Sequence, residues 1–309
     1  MKKILFTDTH FGIKNNSITW LNSQMDFIYK QLIPYIEKQR EPILLIHLGD
    51  VFDSRSSISP YVASKVVEAF KALSNIVEKF IVIGGNHDYY SPNSDQVDSL
   101  NLLFSKLDIE LVTNKIYKYD NDLFIPWYEW GKEFDLNGIK NIFAHTDIVN
   151  ELVPYTGINI WSGHIHIPMI KDNLYNIGSC YALNFADANQ KRGFYVMDDD
   201  CVEFIPNEYS IKFWRLMDDE IFDGLDRKQW DYLEIYIKQS NTYNPEYMKR
   251  IEELAGKHKH IWVIPKSDEI ELNGNIDKFE GYDILSITQN LIPEHLKDKF
   301  EMVVTNMEN

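Results

Sequence analysis

Asp8-Thr-His10, Gly49-Asp50-Val-Phe-Asp53, Gly85-Asn86-His87-Asp88, His145 and Gly163-His164-Ile-His166 put ten carboxylate, amide and imidazole side chains into the first 166 residues. Two hard divalent cations need about ten to twelve ligand positions, which a bridging carboxylate, further oxygen and nitrogen donors and a shared water can fill. Asp8 and His10 stand two apart after an apolar run, so on an extended backbone both side chains face the same way; His164 and His166 repeat the spacing. Gly49 before Asp50, and Gly84-Gly85 before Asn86, remove β-carbons where the chain must turn beside a crowded ion pair. Any one of these motifs is common by chance. Together they take in five of the nine histidines and argue for a binuclear metal centre. Asp88 reads as a loop support that accepts local backbone hydrogen bonds. His47, inside the apolar run Leu44–Leu48, reads as a packed histidine. His258, His260 and His295 read as solvated surface residues.

Each motif follows an apolar run, so strand ends should gather the ligands. Lys2–Phe6, Ile43–His47 and Lys79–Ile83 are strand-like. Between them lie an amphipathic helical stretch, Ser17–Arg40, interrupted by Pro34, and a helix that Ser59 caps and Pro60 opens, running towards Asn75. This βαβαβ order predicts a sheet built through crossovers. Beyond residue 108 the pattern becomes short strands: Ile109–Val112, Ile116–Tyr119, Leu123–Ile125, Ile139–Phe143, Ile158–Trp161, Leu174–Ile177, Phe194–Met197 and Val202–Ile205. Two packed sheets flanked by helices are expected. A boundary is expected near 208–222, followed by a strand at Tyr232–Lys238, a helix from Asn244-Pro245-Glu246 to about Gly256, and a strand at Ile261–Ile264. The division this gives is a main domain at 1–212, a small domain at 213–265 and a tail at 266–309, in which Leu285–Phe300 has weak helical spacing broken by Pro293.

The chain has 309 residues, 44% of them hydrophobic and 25% charged, with a net charge of -16. That composition belongs to a globular protein with a substantial core. The charge argues against gripping nucleic acid unaided through a broad basic face, although metals or a basic partner can supply the positive field. Cys180 and Cys201 are the only cysteines and no CxxC occurs, which disfavours a structural zinc or disulfide scaffold and fits a reducing compartment. The apolar start Ile4-Leu5-Phe6 is cut short by Asp8 and His10, unlike a signal peptide, and no run reaches membrane-span length. A cytoplasmic protein without membrane contact is expected (host cytoplasm, were it phage-encoded).

The motif series resembles the calcineurin-like metallophosphoesterase superfamily over about residues 1–205. Ile125-Pro126-Trp127, Asn176-Ile177-Gly178-Ser179 and Lys191-Arg192-Gly193-Phe194 are similar to the SbcD-type nucleases, the nuclease half of a double-strand-break repair complex with phage recombination relatives. The resemblance implies a four-layer αββα sandwich with a small C-terminal α/β capping domain. It implies that Asp8, His10 and His166 bind one metal, that Asn86, His145 and His164 bind the other, and that Asp50 bridges them. The family's usual ion is Mn²⁺, with Mg²⁺ as an alternative. His87 is then the general acid for the leaving oxygen, with Asp53 orienting it. Many SbcD-like nucleases carry His where Asp53 stands, so the balance of exonuclease and endonuclease activity stays open. Arg55, Lys191 and Arg192 are candidate DNA phosphate contacts, since a guanidinium fork suits phosphate. The rings of Trp127, Tyr128 and Trp130 could stack on unpaired bases, though packing under the loop is the commoner use of such area. The implied partners are DNA, an SMC-like coiled-coil ATPase subunit docked near the tail, and a second copy paired through N-domain helices. A phosphomonoesterase or cyclic-nucleotide phosphodiesterase on the same scaffold is the main alternative. A non-catalytic scaffold subunit should have lost ligands, yet every expected position is filled.

Overall fold

Unbroken apolar runs mark the central strands. Ile43–His47 buries all five residues and Lys79–Ile83 four of five, because both faces of their sheet are covered. The computed structural model describes residues 1–147, 157–198, 201–217, 220–222, 224 and 227–266. Its strands are β1 (Lys2–Phe6), β2 (Ile43–His47), β3 (Lys79–Ile83), β4 (Tyr89–Ser91), β5 (Ser94–Asp98), β6 (Glu110–Val112), β7 (Tyr117–Tyr119), β8 (Asp122–Ile125), β9 (Asn141–His145), β10 (Asn159–Gly163), β11 (Met169–Lys171), β12 (Leu174–Asn176), β13 (Gly193–Asp198), β14 (Cys201–Pro206), β15 (Phe213–Leu216), β16 (Tyr232–Lys238) and β17 (His260–Lys266).

The fold is an α/β sandwich of two six-stranded sheets, ordered β14-β13-β1-β2-β3-β6 and β11-β12-β10-β9-β8-β7. β1, β2, β3 and β6 run parallel, as do β8, β9, β10 and β12. Leu5, Leu44, Ile46, Ile81 and Ile83 of the first sheet meet Phe124, Phe143 and Trp161 of the second. The first sheet's other face packs Ile4, Phe6, Leu45 and Val82 against the helical layer, including Trp20, Val66 and Phe70. The second sheet's outer face, with Ile142 and Ile160, is covered by Trp130, Phe134 and Leu136. Among the described residues this outermost layer is mostly irregular; its regular element is the 3₁₀ turn Trp127–Glu129.

The expected helix at Ser17–Arg40 is one helical run in three parts: α-helical Ile18–Asp26, π-helical Phe27–Leu32 and α-helical Ile33–Glu37. The wider π stretch ends just before Pro34, which lacks an N–H and would crowd the preceding turn of a regular helix. The second helix is Pro60–Ser74, with Pro60 at its first position; Ser59 precedes it but makes no side-chain cap bond. Three elements had no clear periodic signal: the β4–β5 hairpin, the helix Ser99–Phe104 and the edge strand β11.

Residues 213–266 hold a parallel three-stranded sheet, ordered β15-β16-β17. The helix Pro245–Ala255 belongs to the same segment, and the Asn244 side chain caps it by accepting the Glu246 and Tyr247 N–H groups. Leu216, Leu233, Ile235, Ile237 and Ile251 form its core, while Phe213 packs in the main core. His260 stacks on Tyr232 with ring centroids 4.2 Å apart, so it is a packed residue and not the solvated one expected. His295, Leu285–Phe300 and the expected tail, apart from Lys266 at the end of β17, lie outside the described residues. No described helix is long and apolar enough to cross a membrane.

Candidate metal centre

Strand register brings the motifs together. Phe6 of β1 pairs with His47 of β2, and Gly163 of β10 pairs with His145 of β9, so the following loops leave their sheets side by side. In parallel sheets the carboxyl ends of strands form the natural ligand crevice. Here they carry Asp8, His10, Asp50, Asn86, His145, His164 and His166.

The backbone reaches this arrangement by leaving the extended conformation. Asp8, His10, Asp50 and His164 have φ of 51°, 41°, 55° and 86°, in the left-handed region that Asp, Asn and His visit more readily than other non-glycine residues. The expected extended spacing of Asp8-Thr-His10 and His164-Ile-His166 is therefore corrected: these are turns stored at the strand ends. Gly49, with φ of 103°, supplies the same conformation without steric cost. Gly85 is needed for close approach instead, since a β-carbon there would strike the Asp50 backbone nitrogen and carboxylate.

Two donor groups share one carboxylate. His10 Nε2 lies 3.2 Å from His166 Nε2 and 3.9 Å from Asp8 Oδ1, and His166 Nε2 lies 3.8 Å from Asp8 Oδ1. On the other side Asn86 Oδ1 is 3.1 Å from His145 Nε2 and 2.9 Å from His164 Nδ1. Between them Asp50 Oδ2 stands 3.8 Å from His10 Nε2 and 3.4 Å from His145 Nε2. Asp8, His10, Asp50 and His145 are buried.

These residues fit a pair of divalent cations. His145 Nδ1–H donates to the Leu48 carbonyl at 2.7 Å, which leaves the Nε2 lone pair for a metal, the tautomer control that ligating histidines need. Burial would lower His145 and raise Asp50. Their mutual attraction outweighs it: His145 is raised to about 9, and Asp50 falls well below the usual carboxylate range. Burial lowers His10 too, yet Asp53, Asp50 and Asp8 together raise it. Without cations, these protons partly balance the carboxylates; metal binding must displace them. Burial keeps His164 and His166 below the ordinary histidine value.

His87 is adjacent to Asn86 but held differently. Its backbone N–H donates to Asp50 Oδ1 at 2.8 Å, and its Nδ1 meets the Asp53 backbone carbonyl at 2.6 Å. With Nδ1–H as the donor, Nε2 is the nitrogen left free to take up and release a second proton. The Asp53 carboxylate, expected to orient His87, instead faces His10 Nδ1 at 3.5 Å; the main chain of Asp53, and not its side chain, holds the His87 imidazole. Asp88 accepts the Val51, Phe52 and Gly85 N–H groups at 3.0, 3.2 and 2.9 Å, tying the second and third motifs together. Burial, with Asp50 beside it, pushes Asp88 up to about 7.

Beneath the candidate ligands lies a polar layer that short-range patterns do not reveal. Gln24 Nε2 donates to the Thr9 carbonyl at 2.8 Å and to the Tyr181 hydroxyl at 2.9 Å. His47 Nδ1 accepts the Gly49 N–H at 3.2 Å and Nε2 meets Thr9 Oγ1 at 3.0 Å, which in turn donates to the Val51 carbonyl at 3.2 Å. The apolar setting of His47 hid this role.

The aromatic loop packs. Trp127 lies against His164 and His145, with centroids 4.7 and 5.9 Å apart, and the Tyr128 hydroxyl donates to the Ser91 carbonyl at 2.8 Å. Of the three candidate phosphate contacts, Lys191 is exposed and Arg55 half-buried, its Nη1 3.4 Å from the Tyr89 carbonyl. Arg192 is buried and pairs with Asp187 at 2.7 Å, so its guanidinium is committed to the protein and the expected phosphate contact is corrected.

Two comparisons bear on what this centre belongs to. The calcineurin-like phosphoesterase family profile matches residues 1–190. The chain is 28% identical over 327 residues to a protein of Enterobacteria phage T4 called exonuclease subunit 1, covering 95% of this chain and 94% of that protein. With the profile spanning well over half the chain, this protein belongs to the calcineurin-like phosphoesterase family and is a metal-dependent hydrolase of phosphoester bonds.

Proposed function

We propose that the chain is a Mn²⁺-supported DNA nuclease, hydrolysing phosphodiester bonds as the nuclease subunit of an SbcCD-like repair and recombination complex. The observation that carries this reading is the reach of the similarity. It extends over 95% of the chain to a phage exonuclease subunit, well past residue 190 and through the three-stranded unit. A phosphomonoesterase on the same scaffold gives no reason for that extension.

In this reading Asp8, His10 and His166 hold one cation, Asn86, His145 and His164 hold the other, and Asp50 bridges. Mn²⁺ suits the mixed oxygen and imidazole set, and Mg²⁺ is the alternative. When bound, the pair supplies Lewis-acid polarisation of a phosphoryl oxygen and acidifies a shared water. The residues then have separable tasks. Asp50 holds the two ligand groups in register while its Oδ1 fixes the His87 N–H. Asp53's carbonyl keeps one His87 proton on Nδ1, so the acid is the imidazolium form, whose second proton, on Nε2, goes to the leaving oxygen. One His87 nitrogen comes within 4.8 Å of ligand atoms of His10 and Asp50, so proximity alone does not separate ligand from acid; activity and metal content together do.

The working environment is the cytoplasm, the partner an SMC-like ATPase that contributes DNA-binding surface, and residues 213–265 act as the DNA-facing cap. Purified protein with Mn²⁺ should cleave DNA ends and a nitrophenyl phosphodiester far faster than phosphomonoesters; the reverse preference would overturn the nuclease reading. His87→Ala should lose about 10²–10⁴-fold in turnover while binding the same amount of Mn²⁺. Loss of metal would make it a ligand instead.

A further inference from the structure

Resting on the two-metal reading, we propose that Arg192 is a positioning residue for the metal ligand His166, and that the buried Arg192–Asp187 pair exists to clamp the ligand loop. The loop between β10 and β11 carries both His164 and His166. Three groups outside it hold its carbonyls. Asn176 Nδ2 donates to the Ile165 and Ile167 carbonyls, 2.7 Å each. The carbonyl between them, that of His166, accepts the Ser179 N–H at 3.0 Å and Arg192 Nη1. Three successive carbonyls are thus fixed from β12, the turn after it and the residue before β13.

Arg192 is itself immobilised. Its Nη2 donates to Asp187 Oδ1 at 2.7 Å and to Gln190 Oε1 at 3.1 Å, with both side chains of the ion pair 2% exposed. The other Asp187 oxygen accepts the Leu183 and Asn184 N–H groups at 2.8 and 3.4 Å, so the carboxylate is anchored to the 3₁₀ turn Phe185–Asp187. Arg192 Nε is buried without a partner. A buried charge pair is expensive to desolvate, and a shell of this kind around a metal site typically tunes affinity by about 10–100-fold. At the other end of the same residue, His166 Nε2 sits 3.2 Å from His10 Nε2. With the carbonyl pinned, the imidazole has only its side-chain torsions left to vary.

The test is Mn²⁺ titration by calorimetry, with the coupled-pair signal of two Mn²⁺ ions followed by electron paramagnetic resonance. Wild type should bind two ions and show the coupled signal. Arg192→Met should bind one ion as before and the other about 10–100-fold more weakly, with an isolated-ion spectrum at substoichiometric loading. Arg192→Lys, which keeps the charge but not the fork, should fall between. If Arg192→Met does not fold, by circular dichroism, then Arg192→Met/Asp187→Asn removes the charge pair together, and Asn176→Ala loosens the same loop from the other side. A folded variant whose isotherm and spectrum coincide with wild type overturns the clamp. Absence of Mn²⁺ binding in the wild type would instead overturn the two-metal reading on which it rests.

Discussion

His47 offers a test of the layer beneath the ligands that does not depend on turnover. Burial, aided by His145, pushes it down to about 3, against about 6.5 in an unfolded chain. Its two bonds explain why the neutral form is required: Nδ1 must accept the Gly49 N–H, and only Nε2–H is left to meet Thr9. Between pH 6.5 and 3 the unfolded chain therefore binds a proton that the folded chain refuses. The stability contributed by this group is complete above about 6.5 and drains away as pH falls towards 3. The full loss is roughly 4–5 kcal/mol, and about 2 kcal/mol of it falls between pH 7 and pH 5. His10 and His145 titrate with the opposite sign, so the measurement must be differential. Urea unfolding of metal-free wild type and His47→Gln at both pH values isolates His47, because glutamine keeps a donor and an acceptor without titrating. Wild type should lose about 2 kcal/mol more than the variant over that interval. Equal losses, or a His47 imidazole resonance that titrates near 6.5, would refute the argument.

Three further outcomes follow from particular contacts. Gly85→Ala should weaken binding of both cations and cost about 1–3 kcal/mol in stability, because the new methyl meets Asp50; unchanged Mn²⁺ isotherms would contradict it. Trp127→Ala should reduce cleavage of a nitrophenyl phosphodiester and of DNA by similar factors, since the ring supports His164 and His145; a loss confined to single-stranded DNA would point to base stacking. Asp53→Ala should weaken Mn²⁺ binding through His10 yet keep near wild-type turnover at saturating Mn²⁺, since His87 needs only the residue's carbonyl; a loss at full metal loading as large as that of His87→Ala would restore the carboxylate to its expected role.

The clustering of the candidate ligands was readable because they are chemically distinctive and each follows an apolar run. The runs themselves are largely buried strands, whose residues need no alternation; β1, β2 and β3 begin and end where the apolar pattern does, and β16 where an alternating one does. What stayed hidden depends on contacts between distant segments. Nothing near Arg192 says that its guanidinium will turn inward to Asp187 and the His166 carbonyl, and in a loop sequence an arginine resembles any solvated one. The same applies to Gln24, whose partners are Thr9 and Tyr181. The left-handed turns at Asp8, His10 and His164 were missed for a different reason: spacing of two is compatible with a strand, and the left-handed positions themselves are not glycines. The role of the Asp53 carboxylate came from the resemblance, through its place three residues past Asp50, and such a match cannot distinguish its side chain from its main chain.

The acidity of the chain and a polyanionic substrate are compatible once distance is considered. At physiological ionic strength charges more than about 8 Å apart across solvent are largely screened, so most of the net -16 is not felt at a given phosphate. What counts is the charge within a few ångströms, where unit charges 4 Å apart interact by about 4 kcal/mol at an effective dielectric of 20. In the metal-free centre, Asp8 and Asp50 face imidazoles that take up protons, leaving little net attraction for an anion. In the proposed two-metal centre, two divalent cations would replace those protons with four positive charges, and the cleft would become positive while the rest of the surface stays acidic. DNA binding to the isolated chain should therefore require metal and show a shallow salt dependence, because few phosphates are neutralised by lysine or arginine. A steep salt slope in metal-free protein would mean that a basic surface, and not the cations, brings the substrate in.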